Sequence, residues 1–181
     1  EKRVSPFLVP MMMPNAAPAA VSMRFGWQGP CENTVTACAA GTHAIGNGAR
    51  MVADGRCDVV IAGGAEAPFT PTAIAGFANM TELSSSGVSM PFDVKRDGFV
   101  MGEGAGVLLL KRLSDAIRDG DDVKAVVRGV GGSSDGRGKG ITAPSQRGQV
   151  QAVSRAYSQA GYSPSSVELV EAHGTSTKVG D

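Results

Sequence analysis

Two side chains in this sequence are equipped for covalent or proton chemistry. Cys38 stands inside residues 33–43, NTVTACAAGTH, and His173 opens residues 173–181, HGTSTKVGD. A thiol attacks as its thiolate, and the unpaired N–H groups and positive dipole end at the start of a helix favour that form. The residues before Cys38 suit a strand and those after it suit a helix, so the sulfur falls at the join. Ala37, Ala39, Ala40 and Gly41 are small, which leaves room for an acyl group or a ligand chain. A buried free cysteine is more often inert packing, and small residues also serve close helix contacts, so the setting carries the nucleophile reading rather than the thiol itself. Cys31 and Cys57 lack that setting and read as structural. His173 follows the apolar residues 167–172, at what would be the carboxyl end of a strand, where ligands of parallel sheets bind. Gly174 permits an unusual backbone, and Thr175, Ser176 and Thr177 crowd three hydroxyls together. A loop histidine without a role is the plain alternative. His43 lies five residues beyond Cys38, about 140° around a helix, and is expected to make a local hydrogen bond.

Two rival sites lie in the glycine-rich residues 129–140, GVGGSSDGRGKG. Residues 132–136 fit G-x-S-x-G, which would make Ser134 the nucleophile of a serine hydrolase. Such an elbow runs straight into a helix, and Arg137-Gly138-Lys139-Gly140 cannot easily start one. A phosphate-binding loop is equally poorly matched, because Gly140 stands where Ser or Thr is needed after Lys139. A flexible or tightly turned surface loop is the expected form of this segment.

The elements that must position these groups alternate. Residues 34–36 are β-branched, residues 39–54 carry Ile45, Ala49 and Val52 at helical spacing with Gly55 at the C-terminal stop, and residues 58–62 form a short unbroken apolar run. That run suits a strand buried on both faces, and the three together predict a βαβ unit. Helices are predicted over 71–80, 114–119 and 145–160, strands over 106–110, 124–130 and 167–172, and a polar loop over 81–98. The alternation argues for a layered α/β fold with a covered, largely parallel sheet.

Residues 33–41 (NTVTACAAG), 91–106 (PFDVKRDGFVMGEGAG) and 171–181 (EAHGTSTKVGD) together resemble the β-ketoacyl-acyl-carrier-protein synthases, the condensing enzymes of fatty acid and polyketide synthesis. The likeness covers essentially the whole chain, with the motifs in family order, and is nearest to the discrete elongation type. It implies a thiolase-like fold of layers α/β/α/β/α, present here in part, with residues 1–181 running from before the nucleophile in the N-terminal half into the start of the C-terminal half. It implies a homodimer acting with an acyl carrier protein, substrates carried on that protein's phosphopantetheine arm, no cofactor bound covalently to the enzyme and no metal.

By the same resemblance Cys38 accepts the acyl chain and its backbone N–H forms part of an oxyanion hole, while His173 is one of two histidines that promote decarboxylation of a malonyl thioester. Thr175 and Thr177 match hydroxyls that bond the pantetheine arm, and Phe77 matches a residue lining the acyl pocket. Glu103 matches a structural acid near the site, and Asp93, Arg96 and Asp97 brace their loop. The family's second catalytic histidine, its lysine and its gating loop have no counterpart up to Asp181, so the chain is expected to be a central fragment, inactive alone. The alternative within the fold is a non-catalytic chain-length partner subunit, which lacks the nucleophilic cysteine. A thiolase would not carry the His173 motif.

Whole-chain properties are permissive. Of the 181 residues, 17 are Lys or Arg and 17 are Asp or Glu, so no bulk field draws in nucleic acid or an anionic membrane. The Met-rich opening is cut by Pro10 and Pro14, and no apolar run approaches the roughly 20 residues of a spanning helix. Three cysteines without a C-x-x-C pair support neither a disulfide framework nor a zinc ribbon, and a reducing cytoplasm is the expected location.

Overall fold

A computed structural model of the protein describes residues 3–138 and 140–181. The chain divides into two compact units. The first holds Glu1–Gly64 and Gly106–Val123, and the second holds Ala65–Ala105 and Lys124–Asp181.

The first unit begins with helices α1 (Leu8–Met12) and α2 (Ala16–Phe25), the latter stopped by Gly26 at φ 69°. After residues 27–36, which lie in neither helix nor strand, a 3-10 turn at Ala37–Ala39 feeds directly into α3 (Ala40–Ala53). Gly55 follows α3 at φ 71°, the left-handed position where a glycine ends a helix without a Cβ clash. Strands β1 (Val59–Glu66) and β2 (Gly104–Lys111) are neighbours in a two-stranded sheet. α3 lies on one face of it: a Cβ on Gly48 would meet Leu110 and Val60 at 3.0 Å and Ala62 at 3.2 Å. The glycine therefore sets how closely helix and sheet approach. Val52, Ala62 and Ala116 of α5 (Leu113–Asp119) form the buried part of this unit.

The other face of the sheet departs from expectation. Its unbroken apolar run suggests burial on both sides, yet Val107 is 61% and Leu109 65% exposed, and Val59 and Ile61 are exposed with them. α3 covers one face only.

The second unit contains α4 (Pro71–Asn79) and α6 (Gln146–Ala160). Thr70 caps α4 by accepting from the Ala73 N–H with Pro71 at the first helical position, and Ser145 caps α6 by accepting from the Gly148 N–H. A short 3-10 turn, Pro164–Ser166, follows α6. Gly148, Ala152, Ala156 and Ala160 recur every four residues along α6 and so share one face. The glycine-rich segment packs against that stripe. A Cβ on Gly129 would strike the Ala156 carbonyl, and one on Gly131 the Ala152 carbonyl. Val130 N–H donates to Gln159 Oε1 at 2.6 Å and Arg155 to the Gly132 carbonyl at 2.5 Å. The first part of the segment expected to be a flexible or turned surface loop is thus held against a helix, and Gly129 and Gly131 are there for close approach, whereas Gly136, Gly138 and Gly140 face open space. No helix starts between Ser134 and Gln146 among the described residues, which removes the serine elbow, and Lys139 lies outside the described residues.

Three expected strands are not formed: residues 34–36, 124–130 and 167–172 lie outside the strands found among the described residues, so the βαβ unit built on 34–36 is absent too. Strand formation needs a second chain segment to complete its hydrogen bonds, and β-branched composition alone does not supply one.

Candidate active site

Cys38 occupies the middle of the 3-10 turn that opens α3, and its side chain is free and exposed. The turn is strained at one position. Ala37 has φ 49°, a left-handed conformation that a Cβ-bearing residue avoids and that clusters at functional sites. Thr36 precedes it as the cap of the turn, with its carbonyl accepting from the Ala39 N–H at 3.1 Å. His43, one turn into α3, reaches back so that Nδ1 lies 2.8 Å from Thr36 Oγ1 in a hydrogen bond. The local hydrogen bond expected of His43 is therefore made, and its partner is the residue two before the thiol. Cys57 is half-buried beyond the far end of α3, and Cys31 is exposed, where packing gives it no role.

The remaining candidate residues lie in the second unit. His173 is exposed at the head of a loop with two left-handed residues, Gly174 at φ 49° and Ser176 at φ 64°. At Gly174 a Cβ would come within 3.1 Å of Pro91, so the loop sits tightly on the segment of the second motif. Thr175 and Thr177 point their hydroxyls at each other, 2.9 Å apart, and Thr177 Oγ1 also accepts from the Gly180 N–H at 3.0 Å.

Ser176 is the hub that the sequence did not single out. It is fully buried, with 0% exposure. Its Oγ accepts from the Met90 N–H at 2.8 Å, its carbonyl from the Gly98 N–H at 2.9 Å, and its own N–H donates to the Asp181 carboxylate at 3.0 Å. Asp181 also accepts from the Phe92 N–H at 2.8 Å, and Phe92 is itself left-handed at φ 62°. Those amide donors, that of Phe92 foremost, hold the Asp181 carboxyl below its ordinary value. The only sequence signal for this hub is an acid closing a hydroxyl-rich run.

The bracing trio behaves as three different devices. Arg96 donates from Nε to the Thr177 carbonyl at 3.1 Å and from a terminal nitrogen to the Asp93 carbonyl at 3.0 Å. Asp93 itself accepts from the Lys95 N–H. Asp97 accepts from the hydroxyls of Ser84, Ser85 and Ser86 and from the amides of Ser85 and Ser86 at 2.7–3.2 Å. The Ser84 hydroxyl leads these donors in holding the Asp97 carboxyl far below the usual range, against the opposing effect of desolvation. Glu103 accepts from the Phe69 N–H at 2.9 Å and so fixes the approach to α4. Phe77, on α4, meets Phe99 edge to face with ring centres 5.3 Å apart.

Comparison with known proteins places the chain in one class, the beta-ketoacyl synthases. Residues 1–116 match the model of the beta-ketoacyl synthase N-terminal domain, and residues 124–181 match that of its C-terminal domain. The chain is 44% identical over 184 residues to 3-oxoacyl-[acyl-carrier-protein] synthase 2 of Staphylococcus aureus, covering 99% of this chain and 46% of that protein. It is 42% identical to the mitochondrial 3-oxoacyl-[acyl-carrier-protein] synthase of Arabidopsis thaliana, covering 99% of this chain and 40% of that protein. Among solved structures, the AntDE:AntF complex, a type II polyketide synthase acyl-carrier protein with its ketosynthase bound to the hexaketide, superposes with a TM-score of 0.92 at 29% identity, over 99% of this chain and 46% of that one. The chain belongs to the beta-ketoacyl synthase family. It has the thiolase-like fold in part, and it spans about half the length of the curated relatives it matches.

Proposed function

We propose that this chain is the central part of a 3-oxoacyl-acyl-carrier-protein synthase, residues 1–181 forming a partial ketosynthase domain that runs from before the nucleophile into the C-terminal half. The observation that carries the reading is an exposed thiol, Cys38, on a strained turn at the head of α3, in a chain matched by the family along nearly all its length. The exposed apolar face of β1 and β2 supports the partial domain, since a finished surface rarely leaves such a face bare.

The Cys38 thiolate attacks the carbonyl of an acyl thioester on a carrier protein. The new thioester forms on sulfur, and the pantetheine sulfur leaves and takes up a proton. The first N–H groups of the turn and α3 suit the oxyanion that forms on the way. A malonyl thioester then loses carbon dioxide, and His173 donates a hydrogen bond to the thioester oxygen as the enolate develops. The enolate carbon attacks the acyl-enzyme carbonyl, the carbon–carbon bond forms, and the Cys38 thiolate departs. Thr175 and Thr177 hold the pantetheine arm, Phe77 lines the acyl pocket, and Glu103, Asp93, Arg96 and Asp97 fix the loops around them. Acyl carrier protein is the partner, phosphopantetheine the substrate handle, a homodimer the working form and the cytoplasm the location. The likeness to a ketosynthase solved with its carrier supports the partner. For the location, among the described residues no helix is long and apolar enough to cross a membrane.

The test uses the full-length protein and a radiolabelled acyl carrier. Cys38→Ala should abolish transfer of label to the protein, and transfer that survives the change overturns the reading. His173→Ala should keep acylation and lose condensation by at least a hundredfold, within the span of a positioned proton-handling group. Equal loss of both steps would remove its assigned role.

A further inference from the structure

The contact between Thr36 and His43 brackets the thiol. Thr36 caps the turn with φ −135° and ψ 39°, Ala37 carries the left-handed φ of 49°, Cys38 follows, and His43 stands on the first turns of α3. The bond from Thr36 Oγ1 to His43 Nδ1, 2.8 Å, therefore ties the incoming chain to the helix across the strained residue. A second tie joins the same two sides through the backbone, from the Ala39 N–H to the Thr36 carbonyl at 3.1 Å. A left-handed alanine costs about 1–2 kcal/mol relative to an ordinary conformation, so the turn persists only where neighbours hold it. The helix that receives the thiol holds the turn through its backbone, by the Ala40 N–H donating to the Ala37 carbonyl, and through the His43 side chain, which reaches one residue further back to Thr36.

We propose that His43 is a positioning residue for Cys38: with Thr36 as its partner it locks the turn that aims the sulfur from the head of α3. This rests on Cys38 being the nucleophile. His43 touches neither substrate nor sulfur in this role and transfers no proton. It acts through Thr36, and what it sets is the direction of the Cα–Cβ bond of Cys38 relative to the N–H groups of the turn. The residues between Thr36 and His43 leave no other side chain able to do this: Ala37, Ala39, Ala40 and Gly41 have no polar atoms, and Thr42 is exposed on a different side of the helix from His43.

The test is a double-mutant cycle in the full-length protein, with Thr36→Val, His43→Leu and the pair together, and His43→Asn as the conservative variant, since its amide can stand near the place of Nδ1. Two rates are read at fixed pH: acylation of Cys38 from an acyl carrier at saturating donor, and alkylation of Cys38 by iodoacetamide followed by mass spectrometry. Cys57, beyond the opposite end of α3, reports the integrity of the helix in the same sample. Loss of one net hydrogen bond's worth of alignment corresponds to a slowing of about fivefold. Each single variant should slow both reactions at Cys38 by about that factor, the double variant should be no slower than either single, and His43→Asn should lie within about twofold of the parent. Labelling of Cys57 should not change.

Costs that multiply in the double variant, Cys38 rates unchanged in Thr36→Val, or a parallel rise in Cys57 labelling would overturn the proposal, the last by showing general loosening of α3. Thr36→Val keeps the test alive should His43→Leu fold poorly. If Cys38→Ala leaves acyl transfer intact, the nucleophile reading fails by itself. The alkylation arm still decides whether His43 and Thr36 act as one device.

Discussion

Single residues decide the site through hydrogen bonds that the sequence does not advertise. Ser176 stands between two threonines in a run of hydroxyl residues, and nothing in that run separates it from its neighbours. In the fold it alone is fully buried, and its three backbone and side-chain groups all bond outward. Ser176→Ala leaves the part-buried Met90 N–H without its acceptor, which costs about 1 kcal/mol or more. Urea unfolding should show that loss, and Ser176→Val should lose more, because a β-branched residue is poorly suited to φ 64°. Asp97 offers a pH test. Its carboxyl is held low by the Ser84 hydroxyl first and by Ser85 and Ser86 next, so the folded value lies below the unfolded one. A depressed carboxylate stabilises fully above its unfolded value, near ~3.9, and that contribution is lost as pH falls from there through the folded value. Protection of the Ser85 and Ser86 amides, corrected for intrinsic exchange, should be level from pH 7 to about 4 and then fall by up to about tenfold per pH unit. In Asp97→Asn protection should be weak across the range, and a level profile to pH 2.5 in the parent would contradict the assignment.

At the scale of elements, small residues govern approach. α3 comes close to the sheet because position 48 lacks a Cβ, and α6 takes the 129–132 segment because small residues recur every fourth position and meet alternating glycines. The sequence reading located the helix but not its stripe of Gly148, Ala152, Ala156 and Ala160, and glycines 129 and 131 read as loop punctuation without their partner. Gly131→Ala places a Cβ against the Ala152 carbonyl and Ala156 amide, backbone atoms that cannot rotate away. A destabilisation of about 2 kcal/mol or more is expected by thermal or urea unfolding, whereas Gly138→Ala, with nothing within 4 Å of its Cβ, should change little. The helices and strands that the sequence located, α3 to α6 with β1 and β2, all have a local stop or cap or an unbroken apolar run. The three that failed to appear as strands, 34–36, 124–130 and 167–172, had only β-branched or apolar composition.

For the whole molecule, the chain order of the family's two domain models and the compact units do not coincide. The N-terminal model ends at residue 116, yet residues 65–105 inside it fold with residues 124–181. The reason is specific: Met90, Phe92, Arg96 and Gly98 all bond to Ser176, Thr177 or Asp181, across more than 75 positions of sequence. The second motif and the His173 motif are thus one structural object, which explains why both are long and dense in polar residues. Three of these bonds are backbone amides donating to a hydroxyl, a carboxylate and a carbonyl, and the fourth is the Arg96 guanidinium on the Thr177 carbonyl, with Arg96 also 4.0 Å from the Asp181 carboxylate as an ion pair.

The sequence by itself determined the family, the order of its motifs, most helices and the two paired strands, because periodicity, caps and motif chemistry are written in neighbouring residues. It also placed Cys38 at the start of a helix, although the strand expected before it is not formed. Only the tertiary structure decided that Ala37 is left-handed, that His43 ties back to Thr36, that Ser176 and Asp181 knit two distant segments, and that one face of the sheet is bare. Each of these depends on which segments meet in space. Hydrogen-bond partners, backbone strain and burial are properties of such meetings: Thr36 and His43 share one short window, but the window does not show that they meet, and the bonds of Ser176 and Asp181 to residues 90–98 lie outside any window.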